Sequence, residues 1–198
     1  MVNALYSSPA TLLNGAVATV GAACVAAGVS ELPEMWVAAG VLAIIAAARV
    51  IAAQRLAANA EGNSTAMLEL AYEIGAFSFA LALGAMAAYT IIADSPSQVE
   101  VLMIANAVGY GIGVSARNAG RPIIAIGQLT FSSLPIALAA FATMQLGYVA
   151  LGVTILLLIP AQAFVVCKIF NTLRESIGSA DTNQRLAHKM ELLAHTDV

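Results

Sequence analysis

Apolar residues fill this chain in runs of about twenty, each broken by a short polar punctuation. Runs of that length cross a bilayer as helices. The pattern predicts six: Pro9–Val29, Pro33–Ala53, Ala66–Ile92, Gln98–Ser115, Pro122–Phe141 and Leu146–Phe170. The breaks are rich in Pro, Gly, Asn, Asp and Ser, the residues of turns. Glu31-Leu-Pro-Glu34 separates the first two runs, Asp94-Ser-Pro-Ser-Gln the third and fourth, and Asn118-Ala-Gly-Arg-Pro122 the fourth and fifth. After Phe170 the pattern changes to polar with an apolar 4-3 stripe: Leu173, Ile177 and Ala180, then Leu186, Met190 and Leu193, with a phase slip near Gly178. A 4-3 stripe fits either a short two-stranded coiled coil or an amphipathic helix lying on its own domain. The expected fold class is all-α, an integral membrane bundle of about six transmembrane helices followed by a cytoplasmic signalling helix.

Composition agrees with the pattern. Apolar residues make up 61% of the 198 and charged residues only 10%, and mean hydropathy is +0.88. Soluble domains carry about a quarter charged residues, so a water-soluble fold of this size has nowhere to hide this much apolar surface. The formal net charge of -3 is small and scattered, which gives no electrostatic footprint for nucleic acid. Cys24 and Cys167 fall on distant parts of the expected bundle, and the reading is apolar packing rather than a disulfide. The segment Met1–Pro9 has no Lys or Arg and hence no basic region of a cleaved signal peptide.

Charge position adds orientation. The eight cations are Arg49, Arg55, Arg117, Arg121, Lys168, Arg174, Arg185 and Lys189. All fall toward or beyond the ends of even-numbered runs, whereas the odd-to-even turns carry Glu31, Glu34, Asp94 and Glu100. The bias of Lys and Arg toward the cytoplasmic side places both termini there. The expected location is the bacterial inner membrane, with multiple passes.

Candidate chemistry inside the runs is sparse. Asn14, Asn106, Gln128 and Gln162 are the strongest polar groups at membrane depth. They either bond across helices or line a polar pocket. No Lys, Arg, His, Asp or Glu sits near the middle of any run, which argues against ion-coupled pumping. With His188 and His195 as the only histidines, no intramembrane haem or copper site is expected. No clustered nucleophile, acid–base pair or metal set is visible, so the chain is not expected to be an enzyme. Gly109 and Gly113, and Ala18, Ala22 and Ala26, have the small-xxx-small spacing of close helix pairs. Val108-Gly-Tyr-Gly111 has the letters of a potassium filter but lies within a run rather than in a pore loop. Pro135 and Pro160 are expected to shape their helices. At the inner rim, Glu69 and Glu73 share one helix face, as do Arg117 and Arg121. These four and Asn118 read either as interfacial anchors or as a regulatory rim with ion pairs.

Two strings carry a family resemblance. Leu193-Ala-His-Thr-Asp-Val198 resembles the junction that opens GGDEF domains of bacterial diguanylate cyclases, where a linker helix ends in Leu-Ala-x-Thr-Asp and Leu-Thr-Gly-Leu-x-Asn-Arg follows. Arg117-Asn-Ala-Gly-Arg-Pro122, followed by Ile-Ile-Ala-Ile-Gly-Gln128, is similar to the inner loop of membrane sensor domains in GGDEF and GGDEF–EAL proteins. The resemblance implies a six-span sensor over residues 1–170, a cytoplasmic linker helix over 171–195, and the start of an output domain at 196–198. It implies a parallel homodimer through the C-terminal helix, with Asp197 as a structural junction residue. GTP and magnesium belong to the output domain, so no cofactor is expected here. The expected function is a sensory or regulatory module that passes a signal from an unidentified small-molecule or physical stimulus to a domain forming cyclic di-GMP. The alternative is a small transporter or channel subunit.

Overall fold

The computed structural model describes residues 9–58 and 65–196, with side chains for 13–52, 54, 70 and 72–179. It is an all-α bundle: α1 (Pro9–Ser30), α2 (Pro33–Ala58), α3 (Thr65–Ile92), α4 (Ser97–Arg117), α5 (Pro122–Ala142) and α6 (Leu146–Thr196). All six are long and apolar enough to cross a membrane. Each expected run is a helix, and the ends move by a few residues at most, apart from α2, which runs on to Ala58, and α6.

Short links fix the topology. Two residues join α1 to α2, four join α3 to α4, and three join α5 to α6. Links this short force antiparallel neighbours, and the bundle is three helical hairpins in series. Each of these turns places one non-glycine residue in the left-handed region: Glu31 (φ 58°), Asp94 (φ 49°) and Met144 (φ 54°). The end of α3 shows why. Ser95 N–H bonds to the Thr90 carbonyl at 3.1 Å and Asp94 N–H to the Ile91 carbonyl at 3.4 Å. That pair of reversed bonds requires a left-handed residue just past the helix and satisfies carbonyls that the helix end leaves open. Proline at the first position of α2 and α5 then starts the next helix where an N–H has no partner to lose.

The centre of the bundle is α5, which packs on α3, α4 and α6; α1 joins α2 and α4 at the far side, and α2 also meets α3. More than half of the α3 and α5 spans is buried, against 17% of the α6 span. Phe79, Leu83, Met35, Leu42, Met103, Leu129 and Ile136 are the largest fully enclosed apolar side chains. Large apolar side chains also cover the outside, among them Ile44 at 70% and Phe164 at 71% exposure. Such a surface is at rest only in an apolar solvent.

Close approach of α3 to α5 depends on one glycine and one proline. Pro135 has no N–H, so the Phe131 carbonyl lacks its usual partner one turn on. Gly84 of α3 lies against that carbonyl: an added Cβ would stand 2.7 Å from Phe131 O and 2.5 Å from Ser132 O. On the opposite side, Gly111 of α4 admits Ser132 Oγ, which a Cβ would meet at 2.5 Å. Small residues at these two points let three helices close around Ser132.

The C-terminal run passes without a break into the segment expected as a linker helix. Helix α6 does not stop at Phe170 but continues as a single helix for 51 residues, through Pro160, to Thr196. At 1.5 Å per residue this is about 75 Å, well over twice a bilayer's hydrocarbon thickness of about 30 Å.

Candidate functional site

A cavity of about 340 Å³ opens between α1 and α4. It lies in the half of the bundle built from the start of α1 and α3 and the ends of α2 and α4, where the cations gather. Its mouth is made of small residues that remain exposed: Gly15 and Ala18 on α1, Ala105, Gly109 and Gly113 on α4. Gly109 and Gly113 have nothing within 4 Å of an added Cβ. Within the chain, this glycine pair lines the cavity. Beyond the mouth stand Thr19, Asn106, Tyr110, Phe79, Arg49 and Arg117.

Arg49 is the central polar group. It is the seventeenth residue of α2 and lies within its apolar span. It stands four residues from the end of the expected span, where the cations of the even-numbered runs gather. Gly75 of α3 makes room for its stem, since an added Cβ there would come within 3.0 Å of Arg49 Cγ. The guanidinium sits 5.1 Å from the centre of the Phe79 ring, a cation–π contact. Nη1 donates to the Tyr110 hydroxyl at 3.1 Å, and the Phe79 and Tyr110 rings pack with centroids 5.1 Å apart. Arg49 Nη2 is buried without a hydrogen-bond partner, and so is Arg117 Nε. Among the described residues, neither arginine forms an ion pair.

A side-chain chain leads from this cation to the α4–α5 turn. Gln128 of α5 is fully buried. Its Nε2 donates to Tyr110 Oη and to the Ala76 carbonyl, both at 3.4 Å. Its Oε1 accepts from Asn118 Nδ2 at 2.9 Å. The backbone N–H of Arg121 closes the turn on the Asn118 carbonyl at 2.8 Å. Four helices therefore share one network: α2 gives Arg49, α3 the Ala76 carbonyl, α4 Tyr110, and α5 Gln128. A buried network of this kind stabilises one arrangement when its members are satisfied, and a member without a partner leaves room for a water, ion or ligand to complete it.

The residues singled out from sequence divide. Asn106 donates to the Thr19 carbonyl at 3.2 Å and lines the cavity, and Gln128 stands directly behind it. Asn14 is exposed on α1, and Gln162 lies on α6, which does not touch the cavity's helices other than α4. Arg117 lines the cavity, Asn118 enters the network, and Glu73 is half-buried without an ion pair to Arg117. The side chains of Glu69, Leu186, Met190 and Leu193, and all of Asp197, lie outside the described residues. Arg49, Tyr110 and Phe79 were not singled out for a site. The signal for Arg49 was its place four residues inside an expected span, where an ionisable group is a functional candidate by default. Within the filter-like string, Gly109 lines the cavity, Tyr110 joins the network and Gly111 admits Ser132.

A second polar contact stands at the opposite end. Tyr148 of α6 donates to the carboxylate of Glu100, which is buried in the first turn of α4. It ties α6 to α4, which have the least packing among the helix pairs that touch. Cys24 and Cys167 are free thiols, and among the described residues no cluster of His, Cys, Asp or Glu is placed to hold a metal. No family model matches the chain, and no curated protein or solved structure matches it either.

Proposed function

We propose that this chain is a membrane-embedded sensory module that transmits the state of its bundle to a cytoplasmic output domain through α6. The observation that carries the reading is the continuity of α6: the helix that packs on α5 within the span is the same helix that emerges as the polar tail. A rotation or shift of α6 inside the membrane therefore reaches residues 171–195 without a joint. The likeness of the tail to a GGDEF junction supports cyclic di-GMP formation as the output. The exposed apolar side chains of Leu173 and Ile177 support a second α6 as partner in a parallel homodimer. In this reading the module lies in the bacterial inner membrane, and both termini are cytoplasmic by the distribution of Lys and Arg.

The input enters at the α1–α4 cavity. A ligand there contacts the Arg49–Tyr110–Gln128–Asn118 network, and Gln128 belongs to α5, the helix on which α6 packs. A differential affinity of a few kcal/mol between two packings moves such an equilibrium. The test is a fusion of the chain to a diguanylate cyclase output domain in cells lacking other sources of the messenger. Deleting four residues around Gly178 is expected to change cyclic di-GMP more than deleting seven, because seven restore the heptad phase and four do not. Equal levels from both deletions contradict transmission through helix register.

A transporter or channel subunit is the second reading, favoured by a cavity in the bundle that is lined by Arg49 and Arg117. It predicts solute flux in liposomes that depends on Arg49, and it assigns no role to the long tail of α6.

A further inference from the structure

We infer that the α1–α4 cavity binds a phosphate-bearing anion, with Arg49, Arg117 and Tyr110 as its donors. Three observations converge. Among the described residues, the cavity lining carries two guanidinium groups and no carboxylate. Arg49 Nη2 and Arg117 Nε are buried and lack acceptors. The Tyr110 hydroxyl already accepts from Arg49 and Gln128, which leaves its own proton to donate. Both arginines are half-buried, so part of each guanidinium is shielded from water, and an incoming anion supplies the acceptor that part lacks. Guanidinium forks match phosphate oxygens, and a contact in a site screened from water is stronger than one at a surface. Three separate donors suit the several oxygens of a phosphate better than the two of a carboxylate.

The shape agrees. The mouth consists of exposed glycine and alanine on the outer face of the bundle, between two helices that are apolar on that side. A slim apolar body fits along Gly109 and Gly113 while its phosphate reaches the arginines. A phospholipid headgroup from the surrounding leaflet and a soluble organic phosphate share this chemistry. The inference deepens the sensory reading by naming a ligand class and rests on it only for the meaning of binding; binding itself is measured on the chain alone, without an output domain.

The experiment titrates the detergent-purified full chain with dioleoyl-phosphatidylglycerol or dioleoyl-phosphatidylcholine and reads bound lipid by native mass spectrometry. A parallel arm titrates glycerol 3-phosphate into the chain in phosphatidylcholine nanodiscs by calorimetry. One of the two phosphate probes is expected to bind, and Arg49→Gln and Arg117→Gln are each expected to weaken it at least about tenfold. Gly113→Val fills the mouth in open space and is expected to weaken it similarly with both arginines intact. Gly40→Val, also in open space but outside the cavity, leaves binding unchanged. Selective binding of phosphatidylglycerol assigns the site to lipid, and binding of glycerol 3-phosphate assigns it to a soluble phosphate. Binding of either probe that is indifferent to Arg49→Gln and Gly113→Val, or no binding of either, overturns the inference. Loss of cyclic di-GMP control in the fusion with binding intact would instead count against the sensory reading alone.

Discussion

Single residues decide how closely these helices approach. Gly84 faces backbone carbonyls that cannot retreat, so Gly84→Ala is expected to destabilise the bundle by about 1–3 kcal/mol, the usual range for overpacking. Gly40→Ala meets nothing and gains helix propensity, so it is expected to be neutral or stabilising by up to about 1 kcal/mol. Thermal melts of the two variants in one detergent separate the cases, and an equal response from both would remove the argument for close α3–α5 contact. At the far end, Tyr148→Phe strips a donor from the buried Glu100 carboxylate. A loss of about 1 kcal/mol or more is expected, and Glu100→Gln in the same background should recover part of it, because an amide tolerates the missing donor better than a charge. Much of this residue-scale detail was hidden in the sequence. Glycines at 84, 111, 109 and 113 look alike in an Ala-rich string, and only the fold shows that the first two touch neighbours while the last two line a cavity. Arg49 was visible as a cation near a span end, but its inward direction depends on Gly75, Phe79 and Tyr110, which come from two other helices.

Helices and turns were the most legible level. Six apolar runs became six helices because length and hydropathy alone specify a membrane span, and Pro and acidic or amide residues mark where each stops. In α6 the polar tail reads as a linker helix after Phe170, and span and tail form one helix: nothing in Asn171-Thr-Leu-Arg-Glu-Ser-Ile breaks it, and neither Pro160 nor the change of polarity interrupts it. Hydropathy reports solvent, not backbone continuity. Turn chemistry offers a prediction at this scale. Met144 holds a left-handed conformation that costs a residue with a Cβ about 1 kcal/mol. Met144→Gly removes that cost while enlarging the unfolded ensemble, so a small net gain in melting temperature is expected. A clear loss would show that the side chain, 85% exposed, has a packing role that the turn does not reveal.

Across the whole molecule, two ends differ in chemistry. One carries Glu31, Glu34, Asp94 and Glu100 with tight left-handed turns; the other carries Arg49, Arg117 and Arg121 with the cavity and its network. In the proposed reading, the asymmetry that orients the chain during insertion also supplies the charge for an anion site, and α6 leaves the bundle at that same end. Sensing, orientation and output thus share one side of the membrane in this account. Its central claim is tested most directly by single cysteines in a background with Cys24 and Cys167 replaced by alanine. Gln145→Cys lies in the α5–α6 turn and Gly120→Cys in the α4–α5 turn. In intact cells, a membrane-impermeant maleimide is expected to label Gln145→Cys and to reach Gly120→Cys only after the membrane is opened. Labelling of Gly120→Cys in intact cells, with Gln145→Cys protected, would contradict the account.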